Sequence, residues 1–242
     1  MTDFTMNTDA DGVAVITWDT IGKSMNVMSQ QGFADLDALV DQALADEAVK
    51  GIVITSGKEG SFAGGMDLNI IAKMRDDSDD PAQGIFDGVM AMHAVLRKIE
   101  RAGMDPKTLK GGKPIAAALP GVIDEVVPAD ELLSAAKAWV LQAKDADIVK
   151  PWDQKGYKMP GGAPYHPAGF MTFVGASAMV NGNTMGVYPA AKALLSAVYE
   201  GAMVPFDTAL KIEARWFTNV LLNPSSSAMI RSLFINKKAL EK

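Results

Sequence analysis

The segment Ser61-Phe62-Ala63-Gly64-Gly65-Met66-Asp67-Leu68 constrains this chain most, because it joins a strand-like run to a helix-like run through two adjacent glycines. The run before it, Gly51-Ile52-Val53-Ile54-Thr55-Ser56, is short, apolar and β-branched, which predicts a buried strand. After it, Asp67 is placed to cap a helix carrying Ile70, Ile71 and Met74. A helix N-terminus offers unpaired amides that attract negative charge. With Gly64 and Gly65 removing side-chain bulk, the backbone can press against a substrate carbonyl and serve as an oxyanion hole for a developing enolate. A purely structural turn explains the same residues, since glycine-rich strand-to-helix turns are common.

The flanking residues extend the pattern. Phe4–Asn7 and Val13–Trp18 flank Asp11-Gly12, which predicts a β-hairpin. The loop Gly22-Lys23-Ser24-Met25-Asn26-Val27-Met28 leads to a helix with Ser29 as its cap and Phe33, Leu36, Val40 and Leu44 on one face. A further helix carries Ile85, Phe86, Val89, Met92, Leu96 and Ile99, and another places Leu132, Leu133, Ala136, Trp139 and Val140 on one side. Between Pro151 and Gly169 the chain holds eight prolines and glycines, too many for a regular helix or an interior strand. Beyond it, helices are expected at Phe170–Val180, Pro189–Tyr199, Phe206–Leu222 and Ser225–Leu240. Pro189 and Pro205 suit helix starts, and Asn223-Pro224 marks a break.

Hairpin, "K-x-x-N" loop (Lys23 to Asn26), helix, strand and "F-x-x-G-x-D" turn, here F-A-G-G-M-D-L, occur in an order that resembles the enoyl-CoA hydratase/isomerase (crotonase) family. Lys113-Pro114-Ile115-Ala116-Ala117-Ala118-Leu119-Pro120-Gly121 looks like that family's next core strand. Residues 122–140 are similar to an element the family carries much later, and Tyr157–Lys242 looks like the helical linker of the multifunctional fatty-acid β-oxidation α-subunit. One departure is large. The G-G-G-x-E loop and the P-E-x-x-x-G element do not follow Gly121, which passes straight to Val122, as though a central block had been removed. The family glutamates that handle water and proton therefore have no counterpart here.

The resemblance implies an α/β fold: an incomplete crotonase-like spiral of β-β-α units, with an all-helical C-terminal extension. Residues 1–148 would form the acyl-CoA-binding domain, 149–169 a linker and 170–242 the helical extension. It also implies that Met66 supplies an oxyanion-hole N–H, and that Lys23, Met25, Ala63, Gly64, Gly65, Met66, Asp67 and Leu68 line the acyl-CoA site. Lys23 would meet a CoA phosphate as a point charge or face solvent. The resemblance further implies a coenzyme A thioester as substrate, with no tightly bound cofactor. The chain is then an enoyl-CoA hydratase of β-oxidation, a lyase, if the central block is physically present. Otherwise it is an inactive acyl-CoA-binding or interaction remnant. Partners are the substrate and either a second copy or β-oxidation partner subunits, with a cytoplasmic location expected.

Composition excludes some classes. A formal charge of −6 argues against general nucleic-acid binding. The absence of cysteine removes disulfides, thiolate nucleophiles and cysteine-based metal sites. No run reaches the length of a membrane span, the N-terminus does not read as a signal peptide, and no G-x-G-x-x-G fingerprint points to an NAD site. Histidines 93 and 166, without metal-ligand spacing, read as structural or surface groups, and the run Arg75–Asp80 as a solvated loop. Met171, Met179, Met185, Met203 and Met229 read as adaptable core filling. Asp124 and Glu125, beside the join, read as loop residues before a helix rather than as catalytic carboxylates.

Overall fold

The computed structural model describes residues 2–67, 70, 78–117 and 124–240. The chain falls into two compact units, one made of residues up to Ile70 together with Ala94–Lys150, the other of the segment ending at His93 together with Pro151 onward.

The first unit is mixed α/β around a four-stranded sheet in the order β1-β2-β3-β4. Strands β1 (Phe4–Thr8) and β2 (Val13–Trp18) form the expected hairpin, antiparallel with Phe4 opposite Trp18. Its turn is held by Asp9, whose carboxylate accepts from the Asp11 and Val13 amides. Helix α1 (Gln30–Ala45) crosses over to β3 (Gly51–Ser56), which pairs parallel with β2. Both ends of α1 have side-chain partners. Ser29 Oγ accepts from the Gly32 amide at 2.9 Å, and the Lys113 ammonium donates to the Ala43 carbonyl at 3.0 Å and to Asp46, placing a cation where the helix dipole is negative. The short strand β4 (Ile115–Ala117) extends the sheet in parallel with β3.

Alternation along β2 divides its side chains between two faces. Ala14, Ile16 and Trp18 join Phe4, Ile52, Ile54 and the α1 residues Leu36, Val40 and Ala43 in one core. Phe4 stacks on Trp18 with ring centroids 5.3 Å apart, and Trp18 meets Phe62 edge to face. On the opposite face Val13 and Val53 pack against Val140, with Val15, Ala116, Leu132 and Ala136 at the margin. Those last residues place helix α3 (Leu132–Gln142). Its buried edge is Leu132, Ala136 and Val140, four residues apart, whereas Leu133 and Trp139, expected on the same side, are exposed. Phe33 and Leu44 of α1 are likewise only half-buried, their places taken by Gly32 and Ala43. A four-residue helix, α4 (Asp145–Ile148), follows α3.

Helix α2 (Pro81–Arg101) starts at Asp80, whose carboxylate accepts from the Ala82 and Gln83 amides, so one residue of the acidic run is a cap. In the second unit its residues Ile85 and Val89 pack with Ala214 and Leu221. Leu96, expected on the apolar face, is half exposed.

After a 3-10 turn at Pro151–Asp153 and irregular chain to His166, the second unit continues in helices: α5 (Pro167–Thr184), α6 (Pro189–Gly201), α7 (Phe206–Leu222), α8 (Pro224–Ile230), a π-helical turn at Arg231–Asn236, and α9 (Lys237–Leu240). Glu200 of α6 binds Arg215 and accepts from Trp216 Nε1 at 2.9 Å, and Trp152 stacks on Phe206. His166 caps α5, accepting from the Ala168 amide at 3.4 Å. The methionine reading needs correction. Met171 and Met179 are exposed on α5, which carries apolar side chains all round and buries only Gly169; Met185, just past its end, and Met203 are also exposed, and Met229 on α8 is only half-buried.

Candidate functional site

The strands β2 and β3 end side by side at Trp18 and Ser56, and the two loops that leave them meet beyond those ends. Asn26, in the first loop, is fully buried. Its Oδ1 accepts from the Thr20 amide at 2.9 Å. Its Nδ2 lies within donating distance of three acceptors: the Trp18 carbonyl at 2.9 Å, Ser56 Oγ at 3.0 Å and the Phe62 carbonyl at 3.0 Å. One side chain thus ties both strand ends to the start of the glycine turn. Burying a carboxamide is costly unless its donors and acceptor are satisfied, and here they are.

The main chain continues the same tie. The Gly64 amide donates to the Asn26 carbonyl at 2.7 Å, the Met28 amide to the Gly65 carbonyl at 2.9 Å, and the Asp67 amide to the Met28 carbonyl at 2.9 Å. The last two bonds make a one-residue parallel bridge between Met28 and Met66. In such a bridge the neighbours of Met66 supply both bonds, so its own N–H and C=O face away from Met28. Among the described residues the Met66 N–H has no hydrogen-bond acceptor. Gly65 sits at a φ of +109°, where L side chains are strained, and a Cβ there would meet nothing within 4 Å. Ala63, Gly64 and Gly65 are exposed, while Met66 and Asp67 are half-buried.

The other expected site residues that the structure describes cluster around this turn. Lys23 Nζ lies 3.5 Å from Asp67 Oδ2, with its side chain half exposed. Met25 is also half exposed, its methyl 3.3 Å from where a Gly64 Cβ would stand. Asp67 accepts from the Ile70 amide through its backbone carbonyl; Leu68 and residues 71–77 of the expected helix lie outside the described residues. A second lysine, Lys58, donates to the Thr20 carbonyl at 2.9 Å and pairs with Asp19, so its charge is committed to the loop. The role of Asn26 went unread in the sequence beyond its place in the "K-x-x-N" loop. The available signal was a carboxamide set between Met25 and Val27, where an apolar neighbourhood demands partners for it.

Asp124 and Glu125 are exposed. Gly121 and Val122, the join itself, lie outside the described residues. His93 Nε2 lies 3.0 Å from Glu213 Oε2. Among the described residues no group of three His, Cys, Asp or Glu could hold a metal ion, and no helix is long and apolar enough to cross a membrane. The helical unit contains a cavity of about 910 Å³, lined by Trp152, Tyr157, Leu194, Val198, Phe206 and Leu210 among others, with Lys158 and Glu213 as its charged groups and His166 beside them in the lining.

No family model matches the chain. Among curated proteins it is similar to the fatty acid oxidation complex subunit alpha of Acinetobacter baumannii, at 26% identity over 96% of this chain and 40% of that protein. A shorter stretch of 68 residues, 28% of this chain, is 46% identical to the subunit of that name from Idiomarina loihiensis. The chain therefore spans about 40% of the length of the first of these relatives. The first alignment runs over 299 positions, more than the 242 residues of the whole chain, so the relative has several tens of positions without a counterpart here. Similar solved structures include an enoyl-CoA hydratase/isomerase (crotonase) protein from Legionella pneumophila (TM-score 0.40, 20% identity, 50% of this chain and 41% of that one). Another is an enoyl-CoA hydratase/isomerase family protein from Hyphomonas neptunium (TM-score 0.37, 25% identity, 49% and 40%). The chain is a relative of the fatty acid oxidation complex alpha subunits, matched over nearly all of its own length and less than half of theirs.

Proposed function

We propose that this chain has a hydratase-type role on coenzyme A thioesters, taking a 2-enoyl-CoA at the 61–67 turn and hydrogen-bonding its carbonyl oxygen with the Met66 N–H. The observation that carries this reading is the Met28–Met66 bridge, which fixes the Met66 amide while leaving it without an acceptor among the described residues. A donor held in place before charge develops needs no reorganisation as the thioester oxygen becomes an enolate. One such donor is worth about 3 to 4 kcal/mol of transition-state stabilisation. Gly65 gives the substrate clearance. Lys23 offers a CoA phosphate a point charge in competition with Asp67. The names of the relatives support a step in fatty-acid β-oxidation; the reading includes partner subunits of that pathway or a second copy as companions and the cytoplasm as its location.

A second reading, binding without turnover, is favoured by one specific observation. The alignment leaves several tens of the relative's positions without residues in this chain, and the family glutamates are absent from the sequence. Hydration needs a general base for water and an acid for the α-carbon, and losing both removes factors that multiply.

Both readings are tested on a sample whose intact mass equals 25.7 kDa. Affinity for a short 2-enoyl-CoA is measured by calorimetry, and loss of the conjugated thioester absorbance reports hydration. Measurable binding, weakened at least tenfold by Met66→Pro in a folded variant, is the expected result. Equal affinity and equal turnover in that variant would remove Met66 from the site. Robust hydration at that mass would discard the second reading.

A further inference from the structure

We propose that Asn26 is the positioning residue of this site: its buried carboxamide holds the glycine turn in the one geometry that keeps the Met66 N–H unpaired and ready for a thioester oxygen. The inference rests on the CoA-thioester reading above and extends it to a residue that touches no substrate.

Asn26 grips the turn at two points. Its Nδ2 donates toward the Phe62 carbonyl, and its backbone carbonyl accepts from Gly64. It is anchored in turn by the ends of two paired strands, through Trp18 and Ser56, and by the Thr20 amide. The Phe62 contact joins residues 36 positions apart, so nothing local enforces it. No other side chain supplies this set. Aspartate lacks the donors, serine offers only one, and glutamine adds a methylene where Asn26 is already fully buried. Fully satisfied buried networks rigidify what they connect. Without the hold on Phe62, the exposed residues 63–65 are kept only by main-chain bonds open to water, and the Met66 amide loses the fixed direction that an oxyanion donor requires.

The test uses the full chain, ¹⁵N-labelled, with Asn26→Ala and the isosteric Asn26→Asp in case the first fails to fold. In the absence of ligand, exchange protection of the Gly64 and Asp67 amides is expected to fall at least tenfold while Ile16 and Val53 in the sheet keep theirs. Unchanged protection at Gly64 and Asp67 would overturn the proposal. In a second arm, a 2-enoyl-CoA carrying ¹³C at its thioester carbonyl is added. Hydrogen bonding moves that resonance downfield in the unaltered chain, and the Asn26 variants, at saturating ligand, are expected to lose most of the shift. A full shift retained in the variants overturns the positioning role while leaving the CoA-thioester reading intact. No shift in the unaltered chain overturns that reading and the positioning role with it.

Discussion

The Met28 amide donates to the Gly65 carbonyl at 2.9 Å, and this single bond sets the direction of the residue that follows. With the return bond from Asp67 to the Met28 carbonyl, it turns Met66 away from the chain that holds it. The glycine preceding Met66 is required by its φ of +109° rather than by crowding, since open space surrounds its missing Cβ. Gly65→Ala is therefore expected to destabilise the first unit by about 1 to 2 kcal/mol through backbone strain alone. Denaturant unfolding measures the loss, and a change within error would mean that this turn relaxes freely.

Gly51 presents the opposite case. An added Cβ there would run into Val140 Cγ1 and come within 2.9 Å of the Pro114 carbonyl, because helix α3 lies directly on the strand. Gly51→Ala is expected to cost about 1 to 3 kcal/mol by overpacking. Gly175, on helix α5 with nothing within 4 Å, takes the same substitution with the opposite sign. There, alanine should raise stability by roughly 0.5 to 1 kcal/mol. Paired unfolding curves for the two variants decide the matter by the direction of their midpoints.

Helix caps give a second stability contrast. Ser29 and Asp80 each accept first-turn amides, so replacing either by alanine should cost about 1 kcal/mol. Glu131 stands at the start of α3 without a side-chain cap bond, and Glu131→Ala should stay within about 0.5 kcal/mol of the unaltered chain. Equal losses at all three positions would contradict the caps.

Acid behaviour is predicted at the hairpin. The Lys137 ammonium, hydrogen-bonded to Asp9, and the Val13 amide hold the Asp9 carboxyl below the ordinary aspartate range. A depressed folded-state value stabilises the fold above the unfolded value, and that contribution disappears as pH falls through the folded one. Lys137→Met should move the Asp9 titration toward higher pH and shift the acid-side loss of stability with it. Asp105, depressed instead by the amides of Thr108 and Lys107, should titrate unchanged. Carboxyl ¹³C titration by NMR reads both groups in one sample.

Local chemistry alone carried much of the fold. The β-branched run at Gly51–Ser56, the alternation at Val13–Trp18, Asp11-Gly12 between the hairpin strands, Ser29 before α1 and Pro189 at the start of α6 each bias a few neighbouring dihedrals, and each element forms where those biases lie. The order of the motifs likewise pointed to the 61–67 turn and brought Lys23, Met25 and Met66 into one argument. Tertiary structure decided what the same residues touch. Periodicity put Leu133 and Trp139 with Val140, but only the sheet face carrying Val13 and Val53 selects Leu132, Ala136 and Val140 as the buried edge. Apolar character marked the methionines of α5 as core, yet a helix apolar all round cannot state which side is covered, and Met171 and Met179 are exposed. The bonds of Asn26 to Trp18, Ser56 and Phe62 depend on where two loops meet after the strands pair, a long-range geometry that no local preference encodes.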